Sequence, residues 1–317
     1  MAQAMAIVFE APRELALRPL ELKAMDACDI EVETRFSGIS TGTERLLWEG
    51  TMPPFPGLGY PLVPGYETVG TVVRAGEAAT AVCVGDEVFV PGSYSFQGVR
   101  NIFGGAGARL VVPHDRVVRV APELGPTSIL LALAATCHHA LAPGGEGAPL
   151  AAPQLIVGHG VMGRLLARIT IALGQPAPTV WETRAERRSG AEGYAVLDPA
   201  ADPRKDYAVV HDVSGDSGIL DTLIARLAPG GEVVLAGFYK DTLGFSFAPA
   251  FMREAHIRIA AQWKPFDLQS VAALVAAGRL SLDGLITHTV GPSRAREAYE
   301  TAFGDPGCLK MLIDWRR

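Results

Sequence analysis

Residues Leu155–Ala167 read LIVGHGVMGRLLA, and this stretch decides the fold. A short apolar run, Leu155-Ile156-Val157, leads into Gly158, Gly160 and Gly163 at G-x-G-x-x-G spacing, and then into an amphipathic helical pattern. Each glycine has its own task in a dinucleotide-binding turn. Gly158 permits the tight turn, Gly160 lets the backbone approach a pyrophosphate, and Gly163 allows helix and strand to pack closely. The helix start, with Val161 and Met162, offers unpaired amides and a positive dipole end to the anion. TVWE at 179–182 reads as the next strand and ends in Glu182, placed for a carboxylate to accept both ribose hydroxyls of NAD.

Further along, strand and helix patterns keep alternating: a helix over about 185–190, YAVLD, YAVVHDVSG, a helix over about 219–227, and GGEVVLAGFY. Alternation of this kind predicts a parallel, doubly wound sheet with right-handed crossovers. Its later strand ends, Asp212-Val213-Ser214-Gly215 and Gly237-Phe238-Tyr239, fall where ligand-facing loops leave the carboxyl edge, so Ser214, Gly237 and Phe238 are expected to line the nucleotide. Arg184, Arg187 and Arg188 have the charge to hold a 2′-phosphate, whereas Glu182 repels one at close range, which favours NAD. Working back toward the N-terminus, residues from Met5 to about Pro122 form short β-branched runs between Gly/Pro turns, the pattern of a small all-β module. The fold class is therefore α/β: a β-rich N-terminal domain over 1–125 and a Rossmann-type domain over 126–263.

The chain has 317 residues, 49% hydrophobic and 20% charged, which suits two globular domains. With 28 basic against 34 acidic residues the net charge is −6 and no basic run tracks a phosphate backbone, which argues against a nucleic-acid partner. Cys28, Cys83, Cys137 and Cys308 are too dispersed for a disulfide framework or a zinc lobe, as expected in a reducing cytoplasm. Ile129–Cys137, ILLALAATC, is shorter than the roughly 18 residues a membrane span needs and reads as a buried helix. The N-terminal MAQAMAIVFEAPRE lacks a basic region before an apolar run, so a cytoplasmic location is expected. These features predict no transmembrane segment and leave peripheral membrane contact open.

FSGISTGTE, VPGYETVGTVVRAG, VGDEVFV, ARLVVPHDRVVRVAP, ATCHHAL, VGHGVMG, LAPGGEVVLAGF and LITHTV follow one another along nearly the whole chain. In order and spacing they resemble the medium-chain dehydrogenase/reductase superfamily. The resemblance implies a GroES-like N-terminal domain, a C-terminal return over 264–317 to that domain, and a homodimer joined sheet edge to sheet edge, for which GGEVVLAGFYKDTLGFSF is the candidate edge. Zinc-dependent members carry Cys, His and Cys where this chain has Ser40, Tyr66 and Ala132. Neutral hydroxyls and a methyl group are poor replacements for thiolates and imidazole around a borderline-soft cation, so no catalytic metal is expected. Within the superfamily, the phrases GISTGTERLLWEGTMPPFPGLGYPLVPGYETVG and VVHDVSGDSGILDTLIARL are most similar to the branch acting in bacteriochlorophyll biosynthesis. That branch implies NAD-dependent oxidation of a hydroxyethyl group on a chlorin or bacteriochlorin macrocycle. A zinc-free NAD(P)H quinone or enone reductase, or a non-catalytic nucleotide- or pigment-binding protein, are the alternatives.

Without a metal to lower the alcohol pKa, a side chain must manage the proton. Tyr66, in the place of a zinc-binding His, either hydrogen-bonds the reacting oxygen or fills the vacated cavity. Glu67 beside it is a proton-relay candidate or a structural carboxylate. Ser40, Thr41 and Thr43 offer a hydroxyl chain or simply satisfy turn amides. Glu44 and Arg45 are expected to pair with each other or with substrate. His138, or its neighbour His139, is either a base or a core imidazole. Met52–Tyr60 and Trp263–Phe266 supply aromatic and proline surface for a flat macrocycle, with Arg45, Arg100, Arg109 and Lys264 as candidate cations for its propionate.

Overall fold

The structure, a computed structural model, describes residues 2–317. It divides into two compact units, one running up to Ala132 and including Asp283–Arg317, the other Leu133–Leu282.

The first unit opens with a hairpin of β1 (Gln3–Ala11) and β2 (Glu14–Glu21), turned through a left-handed Arg13. β3 (Asp29–Ile39) is followed by α1 (Thr43–Glu49), β4 (Thr68–Ala75), β5 (Glu87–Val90), β6 (Arg109–Pro113) and β7 (Val118–Arg119). β3 pairs antiparallel with both β4 and β6, which explains why it is buried along most of its length. β4 can lie this close because Gly70 has no Cβ; one there would sit 2.3 Å from the Glu33 carbonyl oxygen. Ile7, Phe9, Ile30, Val32, Leu47, Leu62, Val88 and Leu110 are fully buried in the core. Each such side chain contributes about 1.5–3 kcal/mol by leaving water.

The second unit is built on α2 (Leu131–Leu141), β8 (Leu155–Val157), α3 (Val161–Ala172), β9 (Thr179–Trp181), β10 (Ala195–Leu197), β11 (Tyr207–Asp212), α4 (Leu220–Ile224), β12 (Leu227–Leu235), α5 (Phe247–Met252), β13 (His256–Ile259) and α6 (Pro265–Ala276). Its six strands are all parallel in the order β10-β9-β8-β11-β12-β13. The order reverses direction between β8 and β11, and ligands of doubly wound sheets bind at such a switch point.

The chain then returns to the first unit as β14 (His288–Val290), α7 (Ala295–Gly304) and β15 (Met311–Asp314). β15 lies antiparallel to β3, completing a sheet ordered β14-β15-β3-β4-β5-β7. Phe9 meets Trp48 and Tyr299 edge-on at 5.5 and 5.0 Å between ring centroids, so an aromatic cluster ties α7 to the N-terminal hairpin.

The structure departs from the sequence reading at several boundaries. The return begins at Asp283 rather than at 264, because Asp267 in α6 binds His138 and His139 of α2 and keeps α6 in the second unit. Residues 126–132 belong to the first unit, where a 3-10 segment, Pro122–Leu130, packs against β3, β4 and β5. Instead of a helix over 185–190 there is one 3-10 turn, Ala185–Arg187, since the following carbonyls are drawn toward Arg164. β12 is flanked on both sides, so the free edges of this sheet are β10 and β13, and the strand within GGEVVLAGFYKDTLGFSF is not one of them. Pro122–Leu141 is long and apolar enough to cross a membrane by composition, yet Gly125 interrupts it with φ 50° and Ile129–Ala135 are all buried.

Candidate functional site

The turn between β8 and α3 has the shape of a nucleotide cradle. Gly158 takes φ +100°, and a Cβ on Gly163 would sit 1.8 Å from the Gly158 carbonyl oxygen, so neither position admits a side chain. At Gly160 nothing lies within 4 Å of a built Cβ, leaving open space over the first turn of α3. The amides of Val161, Met162 and Gly163 open that helix with no carbonyl one turn earlier to receive them. A dinucleotide pyrophosphate fits this donor set.

Glu182, buried at the end of β9, is held by two backbone amides: His159 N–H donates to one oxygen at 3.2 Å and Arg184 N–H to the other at 2.9 Å. These bonds aim the carboxylate and leave lone pairs for ribose hydroxyls. His159 was not singled out in the sequence. Its Nδ1 donates to the Arg187 carbonyl at 2.6 Å and its Nε2 accepts from Tyr194 at 2.8 Å, while burial lowers its pKa and keeps the ring neutral. Arg164, also missed, is buried without a carboxylate and donates to the carbonyls of His159, Arg187, Ser189 and Gly190 at 2.8–3.2 Å. It locks the loop after Glu182 onto α3. Arg188 is taken up by the Glu182 and Thr183 carbonyls and the Asp198 carboxylate, whereas Arg184 is exposed.

The loops after β11 and β12 come to the same edge. A Cβ on Gly158 would lie 3.3 Å from Ser214, and one on Gly237 3.3 Å from the Tyr239 hydroxyl. Asp212 is buried beneath them, accepting from Tyr239 at 2.6 Å and from Ser214 N–H at 2.9 Å, and burial raises its pKa. Phe238 is half exposed at this edge.

In the first unit, Ser40, Thr43 and Tyr66 form a hydroxyl cluster. Tyr66 donates to Ser40 Oγ at 2.6 Å and lies 3.5 Å from Thr43 Oγ1, with its ring against Phe103. Burial, helped by the nearby Glu67 charge, raises the Tyr66 pKa, so the phenol stays protonated and donates. Glu67 itself is fully buried and accepts twice from Lys310 Nζ, at 2.9 and 2.7 Å; Lys310 also donates to the Ile39 carbonyl at 3.1 Å. Glu67 is thus engaged as a structural ion pair. Thr41 is half buried on the same turn. Glu44 and Arg45 do not pair: Arg45 reaches Glu49 at 3.0 Å, while Glu44 points inward to Tyr299 and the Ser40 amide.

His138 and His139 both direct Nδ1 at Asp267, at 2.8 and 3.0 Å. His138 also lines a cavity of about 450 Å³ with Phe266, Leu274 and Arg279. Met52 is buried while Pro53–Gly57 are exposed, and the Arg100 guanidinium lies alongside Gly59 of that loop. Arg109 is engaged by Glu31 and Glu33. Among the described residues no three His, Cys, Asp or Glu side chains cluster in a way that holds a metal.

The model of the alcohol dehydrogenase GroES-like domain matches residues 26–122. The chain is 55% identical to the 2-desacetyl-2-hydroxyethyl bacteriochlorophyllide A dehydrogenase of Cereibacter sphaeroides, and 53% identical to that of Rhodobacter capsulatus, with 98% of each chain covered in both cases. It is similar in structure to a protein from Sinorhizobium meliloti 1021 described as a zinc-binding dehydrogenase and bound to NADP, with a TM-score of 0.81 at 21% identity over 99% of this chain and 100% of that one.

Proposed function

The chain belongs to the family of 2-desacetyl-2-hydroxyethyl bacteriochlorophyllide A dehydrogenases, in the medium-chain dehydrogenase/reductase superfamily, and from that premise we propose how it works. It oxidises the hydroxyethyl group of a bacteriochlorophyllide to an acetyl group, with NAD as hydride acceptor and with side-chain hydroxyls in place of a metal. The observation that carries the chemistry is the Tyr66–Ser40 hydrogen bond, between two residues at which the family resemblance implies the metal ligands of zinc-dependent members.

A bound nicotinamide supplies the hydride acceptor. The Gly158–Gly163 turn and Glu182 hold its pyrophosphate and ribose, and the Glu182 carboxylate, fixed by two amides, supports NAD over NADP by repelling a 2′-phosphate. As the alcohol carbon gives up its hydride, its hydroxyl must lose a proton. A protonated phenol cannot simply act as base. It can accept the alcohol proton only while passing its own to one of the hydroxyls it faces, Ser40 Oγ at 2.6 Å or Thr43 Oγ1 at 3.5 Å, which must in turn release a proton to water. In this scheme Tyr66 also donates to the oxygen as it becomes a carbonyl.

For the pigment, the exposed Pro53–Gly57 loop and Phe55 offer stiff apolar surface, and Arg100 beside that loop is the cation for a propionate. Phe247, Phe251, Met252 and Ile259 leave apolar surface exposed near the free edge of β13, which supports a homodimer paired there. Unpaired Cys28 and Cys83 at the surface support a cytoplasmic location. The test is turnover of the hydroxyethyl pigment with NAD, read as NADH formed. Nucleotide binding without turnover would leave a binding protein instead.

A further inference from the structure

We propose that Glu44 is a positioning residue for the Tyr66–Ser40 pair, a buried carboxyl with no hydrogen-bonded cation among the described residues, which ties the Ser40 turn to α7. The inference rests on the dehydrogenase reading above.

Glu44 is fully buried in the first turn of α1, and its two oxygens are divided between two donors. Ser40 N–H donates to Oε1 at 3.1 Å, and the Tyr299 hydroxyl, from α7, to Oε2 at 2.7 Å. The same Ser40 receives the Tyr66 proton on its side chain at 2.6 Å. One residue therefore carries both bonds, and a shift of the Ser40 backbone moves the acceptor on which Tyr66 depends.

The charges around Glu44 show why it is unusual. From the residue preceding β4 it faces Glu67, and from the residue preceding β15 it faces Lys310. Lys310 spends its hydrogen bonds on both Glu67 oxygens and the Ile39 carbonyl, so none reaches Glu44. Arg45, next in sequence, turns away to Glu49. Tyr66 and Tyr299 are the remaining titratable groups, and burial raises the pKa of each. Burial, outweighing the two hydrogen bonds, moves the Glu44 pKa up to about 8. At neutral pH the carboxyl keeps its proton on Oε2, where the bond to Tyr299 then runs from Glu44 to the Tyr299 oxygen while Oε1 still accepts from Ser40 N–H, so the turn is held by a neutral group. Ionisation adds a second carboxylate charge beside Glu67 in a place water does not reach, which favours loosening of the Ser40 turn.

The test is kcat and KM against pH for the whole protein and for Glu44→Gln, Glu44→Ala and Tyr299→Phe, with folding checked by circular dichroism. Wild type should lose kcat above about pH 8 while KM stays flat. Glu44→Gln, neutral at every pH, keeps both contacts by accepting from Ser40 N–H on its oxygen and donating its NH2 to the Tyr299 oxygen, so it should stay within a few-fold at pH 7 and lose that alkaline limb. Glu44→Ala should lower kcat by up to about 100-fold, the size expected when a reacting group is misplaced by an ångström. A Glu44→Gln limb unchanged from wild type overturns the proposal. So does a folded Glu44→Ala with wild-type kcat, and should neither Glu44 variant fold, a Tyr299→Phe with unaltered kcat and limb. Wild type inactive at every pH overturns the dehydrogenase reading, and this one with it.

Discussion

Tyr66 and Ser40, 26 positions apart in sequence, share a 2.6 Å hydrogen bond in which the phenol is donor. Metal ligation would need lone pairs aimed at a common point. Here one hydroxyl is spent on the other, an arrangement suited to passing protons. Tyr66→Phe removes the donor while keeping the ring against Phe103, so kcat should fall about 100-fold or more, the usual range for losing an acid–base group. NADH affinity, measured by fluorescence, should stay at the wild-type value.

The cofactor turn makes a sharper steric prediction. Gly163→Ala places a methyl 1.8 Å from the Gly158 carbonyl oxygen, so the turn must open and nucleotide binding should be lost in a protein that still folds. Glu182→Ala should weaken NAD and narrow its advantage over NADP. Titration with each nucleotide checks both, and an unchanged preference would remove Glu182 from selectivity.

Lys310→Met strips a fully buried Glu67 of the only cation that hydrogen-bonds it among the described residues. Breaking a buried pair in this way costs about 3–5 kcal/mol, whereas replacing both partners with apolar groups of similar volume is often near neutral. Urea unfolding should therefore show the single variant strongly destabilised and Glu67→Leu/Lys310→Met largely recovered. Equal losses in single and double variants would contradict the pairing.

Two buried groups give stability opposite pH slopes. His211 is fully buried, its Nε2 donating to the Ala151 carbonyl at 2.8 Å, and burial lowers its pKa from 6.5 to about 3. The unfolded chain binds a proton there that the folded chain refuses, so this contribution is present above pH 6.5 and is lost as pH falls toward 3. Glu44, raised from 4.5 to about 8, acts the other way: its contribution is present below pH 4.5 and is lost as pH rises through 8. Unfolding free energy measured from pH 4 to 9 should lose about one proton of rising slope below pH 6.5 in His211→Leu and about one proton of falling slope between pH 4.5 and 8 in Glu44→Gln.

The strand-turn-helix geometry proposed to hold the cofactor was legible in sequence because its determinants are local. Gly158, Gly160, Gly163 and Glu182 lie within one strand-turn-helix-strand unit, and the structure puts Ser214 and Gly237 at the same edge. The groups that organise the first unit were not legible. Glu67 meets Lys310 across 243 positions and Glu44 meets Tyr299 across 255, so nothing in the spacing of either residue marks its partner. Only the C-terminal return implied by the family resemblance hinted that such contacts form. Arg164 was hidden for another reason: it sits at a helix position where a solvent-facing arginine is the ordinary reading, yet carbonyls from the next loop turn toward it. The short 3-10 turn at Ala185–Arg187 follows from the same clamp.

The most direct test of metal-free pigment oxidation is one spectroscopic assay on chelator-treated protein, with hydroxyethyl bacteriochlorophyllide and either NAD or NADP. The account predicts a shift of the pigment absorption band with one NADH formed per pigment, faster with NAD, and no loss of rate against untreated protein. Activity lost on chelation and restored by zinc, or no pigment conversion by a protein that binds NAD, would contradict it.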